Sequence, residues 1–188
     1  MFAYLEGIVS QVQKGSLILD VNGIGFRIYI PSSLAEKVNV GRSYRIFTHL
    51  ILNNNLIAVY GFLLEKERDL FEKLISVSGI GPKAGLSLIS ELGYEEIIRG
   101  IKTEDIELLS GVSGIGKKKA KKMLLELKDK IAIGEESEKE NARLLFEVLK
   151  KLGYNRGEIK KVIGDLDMDG NLEDLIKTSL RRLSDRNG

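Results

Sequence analysis

Over roughly the first 62 residues polar and apolar side chains alternate, and beyond them the period changes. Alternation puts successive side chains on opposite faces of an extended chain, so it predicts half-buried strands. Ser16–Val21 and Gly25–Ile30 flank Asn22-Gly23, a dipeptide suited to the left-handed angles of a tight hairpin turn. Tyr44–Leu52 and Leu56–Phe62 flank Asn53-Asn54-Asn55, and asparagine tolerates the same angles. Several short strands within about 60 residues predict a small β-barrel.

From about residue 63 to 133 the apolar positions fall at helical spacing: Leu70, Phe71, Leu74 and Ile75, then Leu86, Ile89 and Leu92, then Met123, Leu124 and Leu127. Residues 134–140 read Gly-Glu-Glu-Ser-Glu-Lys-Glu, charged and without apolar anchors, which predicts a flexible acidic linker. Three striped segments follow within 141–188, Ala142–Leu152, Arg156–Ile163 and Leu172–Leu183, expected as a three-helix unit with a modest core. The expected division is therefore a barrel at 1–62, a helical region at 63–133, a linker at 134–140 and a helical unit at 141–188.

The helical region contains an internal repeat. Val77-Ser78-Gly79-Ile80-Gly81 recurs 35 positions later as Val112-Ser113-Gly114-Ile115-Gly116. The register extends to flanking positions: Leu74 matches Leu109, Lys83 matches Lys118, Gly85 matches Ala120, Leu88 matches Met123 and Leu92 matches Leu127. Each copy reads helix, Gly-Ile-Gly, helix. The glycines permit a tight hairpin and a close approach of outside groups to the main chain. The isoleucine can point inward and pin the turn. The second helix then begins with unpaired N–H groups and the positive end of its dipole facing out, which is how main chain receives a phosphate. This is the helix-hairpin-helix pattern, and its duplication resembles the tandem found in many DNA-processing proteins. Contacts of this kind address the backbone, carry little sequence information and are salt-dependent.

Charge sharpens the picture locally. The 29 basic and 27 acidic residues leave a net charge of only +2, but Lys-Lys-Lys-Ala-Lys-Lys at 117–122 packs five cations into six positions beside the second turn. Taken alone such a run is a solvated face; beside the hairpin it is an electrostatic clamp. The chain has no cysteine, which removes disulfides, thiolate chemistry and cysteine-based zinc sites. No apolar run approaches a membrane span, and the first residues lack the basic n-region and the cleavage site expected of a signal peptide. Neither glycine turn carries the Gly-Lys-Ser/Thr signature of a nucleotide-binding loop, and no strand precedes either.

Other readings stay open on the residues. Two glycine-turn hairpins could serve packing alone. A helix-hairpin-helix glycosylase or nuclease would need a catalytic Asp or Lys, or clustered carboxylates, near the turns, and the middle region offers no such set. Phe26, Tyr29, Phe47 and Tyr60 could stack bases on the barrel, although strand aromatics more often build cores. His49, the only histidine, is expected as a strand residue rather than a ligand or base. Asp165, Asp167 and Asp169 open like a calcium loop, but the twelfth position is Ile176 where a bidentate Glu is needed. No metal or cofactor is expected.

The order of parts narrows the field. A small barrel, a tandem helix-hairpin-helix, an acidic linker and a three-helix unit together resemble the RuvA family of bacterial Holliday-junction-binding proteins, over essentially the whole chain. The resemblance is carried by Gly7-Ile8-Val9, Gly23-Ile24-Gly25-Phe26, Phe47-Thr48-His49, Tyr60-Gly61-Phe62, Glu67-Arg68-Asp69-Leu70-Phe71, Gly79-Ile80-Gly81-Pro82-Lys83, Gly114-Ile115-Gly116-Lys117-Lys118 and Leu152-Gly153-Tyr154. It implies an OB-fold first domain, a tandem hairpin domain and a small three-helix, UBA-like third domain. It implies a cytoplasmic homotetramer, with an octamer left open, whose symmetry matches the four arms of a junction. It implies no catalytic site in the chain itself, because the motor is a partner, the hexameric ATPase RuvB; the RuvC resolvase is a further expected partner. Carried onto this sequence, DNA binding falls on Gly79, Gly81, Lys83, Gly114, Gly116, Lys117, Lys118 and Lys122, and RuvB docking on Leu152 and Tyr154. In one place the chain departs from the family. The turn before Tyr-Gly-Phe ordinarily carries an acidic pair at the junction centre, and here Asn54 and Asn55 stand in that turn.

Overall fold

The computed structural model describes the backbone of residues 2–53, 56–166, 168 and 171–184, and their side chains except at 53, 56 and 132–138. The chain forms two compact units, Met1–Lys128 and Asp129–Gly188.

The first unit begins with the predicted barrel. Strands β1 (Tyr4–Gln13), β2 (Ser16–Val21), β3 (Ile24–Tyr29), β4 (Ser43–Asn53) and β5 (Leu56–Phe62) close in the order β1-β2-β3-β5-β4, with β3 and β5 parallel and the other neighbours antiparallel. This is the five-stranded OB arrangement. Closure removes exposed sheet edges, and the alternating positions Leu5, Val9, Leu17, Leu19, Ile28 and Ile46 fill the interior. The Asn22-Gly23 turn forms as expected: both residues have positive φ, 51° and 84°, and the Asp20 carboxylate accepts from the Gly23 amide at 2.8 Å. Gly61 marks a tight place, where a Cβ would stand 2.4 Å from Ile28 Cγ2 and 2.5 Å from Ile46 Cγ2. A short helix, α1 (Ser32–Ala35), which the alternation does not reveal, adds Leu34 to this core.

Helices α2 (Glu65–Ser76), α3 (Pro82–Glu91), α4 (Gly93–Lys102) and α5 (Ile106–Ser110) and the start of α6 (Lys117–Lys151) complete the unit. The barrel and the helical region are one compact body because α2 is seated on the barrel. Phe71 lies 5.1 Å from both Phe62 and Tyr60, ring centre to ring centre, and 5.8 Å from His49. Burial, and then the neighbouring Tyr29, push the Tyr60 phenol above its ordinary range, so it stays neutral in the seam.

Where the sequence predicts a flexible linker at 134–140, the backbone is helical, and α6 runs unbroken from Lys117 to Lys151. A missing apolar stripe does not stop a helix. The segment has no proline, and its Glu and Lys residues are good helix formers. In the second unit the end of α6, α7 (Arg156–Gly164) and α8 (Leu172–Ser184) enclose Leu145, Leu149, Ile159, Val162, Met168, Leu175 and Leu183. Gly153, with φ of 95°, ends α6, and Asn155 starts α7 with a capping box closed by Glu158. These boundaries agree with the predicted segments to within a residue at the C-terminal ends.

Candidate nucleic-acid interface

Both glycine turns have the same construction. Val77 and Val112 are buried, and their carbonyls each accept, at 3.0 Å, from the amides of Ile80 and Ile115. The two isoleucines are each 3% exposed, so they anchor the turns inward as the sequence suggests. Gly79 and Gly114 have φ of 93° and 85°, the left-handed region that disfavours a side chain. The second helix of each copy then starts alike: Gly85 donates to the Gly81 carbonyl and Ala120 to the Gly116 carbonyl, both at 3.0 Å. Beneath the turns Leu74, Leu109, Leu88 and Met123 are fully buried. Gly85 is small for packing, since a Cβ there would meet Phe71 at 3.1 Å and Ile75 at 3.2 Å.

Gly81 and Gly116 are different. Gly81 has φ of −90° and ψ of 173°, extended backbone that any residue adopts. A Cβ on Gly81 or Gly116 would meet nothing within 4 Å. Neither internal crowding nor strain requires glycine there, and both positions are exposed. What glycine achieves is bare main chain facing outward, beside helix amides that have no intrahelical partner. Those amides belong to Lys83 and Ala84 at the start of α3, where Pro82 has none to offer, and to Lys117 and Lys118 at the start of α6. A Cβ on Gly114 would lie 4.0 Å from that of Ala84, so the two turns adjoin and form one surface.

Cations surround this surface. Lys83, Lys117, Lys118 and Lys122 are all exposed. Lys83 and Lys118, equivalent in the repeat, make no ion pair among the described residues, whereas Lys117 Nζ lies 2.6 Å from Glu107 Oε1 and Lys122 Nζ 3.7 Å from Glu126 Oε1. Lys119 has an internal role, donating to the Gly114 carbonyl at 2.9 Å and so bracing the second turn. The repeat signals the turns and lysines. It also carries a further signal for Glu107, which occupies the position equivalent to Glu72.

The other candidates separate. Asn54 and Asn55 lie outside the described residues; the flanking strands pair as far as Asn53 with Leu56. Leu152 is 57% exposed, while Tyr154 is half-buried against the core of the second unit. His49 Nδ1 lies 2.8 Å from Glu72 Oε1, a partner 23 positions away that ties β4 to α2. Tyr60 is committed to the seam with α2. Asp165 caps α7, and Asp167 and Asp169 lie outside the described residues. Among the described residues no three metal-ligating side chains come together, and no helix is long and apolar enough to cross a membrane.

A closed OB-type barrel carrying two adjoining, outward-facing glycine hairpins defines a tandem helix-hairpin-helix protein. Comparison with known proteins agrees part by part. Residues 1–61 match the family model described as the RuvA N terminal domain, and residues 71–129 match that of the SAM-like helix-hairpin-helix tandem. Proteins named Holliday junction branch migration complex subunit RuvA align over nearly the full length. That of Dehalococcoides mccartyi is 37% identical over 99% of this chain and all of the relative. That of Caldanaerobacter subterraneus is 34% identical over 98% of this chain and all of the relative, and that of Fusobacterium nucleatum is 34% identical over 97% and 98%. The chain belongs to the RuvA family.

Proposed function

We propose that this protein binds four-way (Holliday) junction DNA by its shape rather than its sequence, holds the junction open and recruits the RuvB hexameric ATPase for branch migration in recombination and repair. The chain's share is binding, and the ATP-driven work belongs to RuvB. The observation that carries the reading is the pair Gly81 and Gly116, where neither crowding nor backbone strain inside the protein calls for glycine and an outside group that must approach the main chain would. Phosphates seated on the two turns would be held by main-chain amides and by Lys83, Lys117, Lys118 and Lys122, with Gly79 and Gly114 shaping the turns. Four such subunits would meet the four arms of a junction, so a homotetramer is the proposed working form, acting in the cytoplasm and passing the junction on to the RuvC resolvase. In that form Asn54 and Asn55 would stand at the junction centre, as the family resemblance implies. Leu152, apolar and exposed, and Tyr154, half-buried against the core of the second unit, are the proposed RuvB contacts.

The test compares a synthetic four-way junction with linear duplex and single strand at matched salt, with Mg²⁺ present to reveal any cleavage. The junction is expected to bind at least tenfold tighter than duplex, uncut, and Leu152→Asp is expected to abolish RuvB-driven migration while sparing junction binding. Equal affinity for all three DNAs, or strand cleavage by the pure protein, refutes the reading.

A further inference from the structure

The duplication supplies an internal control for the acidic residue beside the second turn. Glu72 and Glu107 occupy equivalent places on the first helix of each hairpin. In the first copy the barrel is alongside, and Glu72 turns to His49 at 2.8 Å, with Arg68 at 3.9 Å. Among the described residues the second copy's acid has no such partner on the barrel. Glu107 stays largely exposed and takes Lys117 at 2.6 Å, at the first residue of α6. The first-copy counterpart of Lys117 is Pro82, which has neither charge nor amide hydrogen. The Glu107–Lys117 pair is therefore peculiar to the second hairpin, and it places a carboxylate on the ammonium of the first residue of α6, a cation beside the turn where a phosphate would be received.

The geometry points to Glu107 as a built-in competitor for the DNA phosphate, one that occupies Lys117 in the free protein and sets how tightly the second hairpin holds DNA. This rests on the reading that the hairpins bind phosphates. A phosphate arriving at Gly114–Gly116 must draw Lys117 away from Glu107 and then tolerate the released carboxylate nearby. Lys117 is consequently neutralised on both sides of the equilibrium and releases little counterion on binding. With the acid removed, the same lysine neutralises a phosphate outright and adds its full share to the salt dependence. By weakening each single grip, Glu107 makes binding depend on several hairpins engaging at once, and this favours branched DNA over a stretch of linear duplex.

Glu107→Gln, Lys117→Met and the double variant, all at exposed positions, are titrated with linear duplex and four-way junction from low to high salt, with Lys118→Met alongside and melting curves to confirm folding. Glu107→Gln is expected to tighten duplex binding about two- to fivefold at low salt, to steepen the salt slope by up to about one per engaged hairpin, and to narrow the preference for the junction. In the Lys117→Met background the same substitution should change little. The proposal is overturned if Glu107→Gln leaves affinity and slope unchanged, or weakens binding, while Lys118→Met still weakens it. It is equally overturned if the gain persists without Lys117. If neither Glu107→Gln nor Lys118→Met alters binding, the hairpin reading itself has failed and the competitor with it.

Discussion

At Gly79 and Gly114 the backbone takes φ of 93° and 85°, and any side chain there is strained whatever space is available. At Gly81 φ is −90° and the surroundings are open, so a side chain costs little in folding but stands where a phosphate would approach. Gly116 is equally open. The paired substitutions Gly81→Val and Gly116→Val therefore separate binding from stability. Each is expected to cost about 1 kcal/mol of stability, because valine is a poor N-cap. Each is also expected to weaken junction binding at least tenfold, since even one hydrogen bond to a charged group is worth roughly 1.5–3 kcal/mol. Gly61→Ala should behave oppositely. Its Cβ has to push Ile28 and Ile46 apart inside the barrel, with an expected loss of about 1–3 kcal/mol, and the DNA surface is touched only through the fold. Melting curves beside junction titrations check all three. A valine variant that melts normally and still grips DNA would refute the main-chain contact.

The two hairpins look unequal in charge when read as sequence, with one lysine on α3 against five in the first six residues of α6. In three dimensions the difference shrinks. Glu107 holds Lys117, Glu126 lies near Lys122, and Lys119 is turned to the Gly114 carbonyl. Lys83→Met and Lys118→Met, at equivalent ion-pair-free positions, should thus flatten the salt dependence of junction binding by similar amounts, about 0.9 in log–log slope for each phosphate that is no longer neutralised. Lys122→Met should flatten it less. Titrations at several salt concentrations measure these slopes, and a clearly larger effect at Lys118 than at Lys83 would contradict the balance. What is legible at this scale follows from the physics. The 35-residue offset, the glycines and the apolar spacing fix the turns locally, so the hairpins can be read directly. The pairing of Glu107 with Lys117 and of His49 with Glu72 depends on chain segments meeting, and only the folded arrangement shows it. The helical state of 134–140 is hidden from the sequence pattern because periodicity detects burial, whereas a run rich in Glu and Lys can be helical without burying anything.

At the scale of the whole molecule, the turn between β4 and β5 matters because an assembly would bring several copies of it together at the centre of the bound junction. The family's acidic pair places negative charge there, and phosphates converging on that point are repelled. Asn54 and Asn55 keep the turn-forming chemistry and remove the charge. With this turn at the centre, the centre would be neutral, strands would cross closer to it, and their separation would be less constrained. Restoring the acids as Asn54→Glu with Asn55→Asp adds two negative charges per chain, multiplied by four in a tetramer. The pair should weaken junction binding several-fold at low salt, and the effect should fade as salt screens it over a Debye length of roughly 10 Å at 0.1 M. RuvB-driven migration should change at the same time, because the charge acts on the strands being exchanged. Affinity by titration, migration rate with RuvB, and the opening of the crossover by fluorescence between labelled arms measure the three consequences. Identical rates and identical junction geometry in the two proteins would show that the tip acts through its shape alone and that its charge has no part in separating strands.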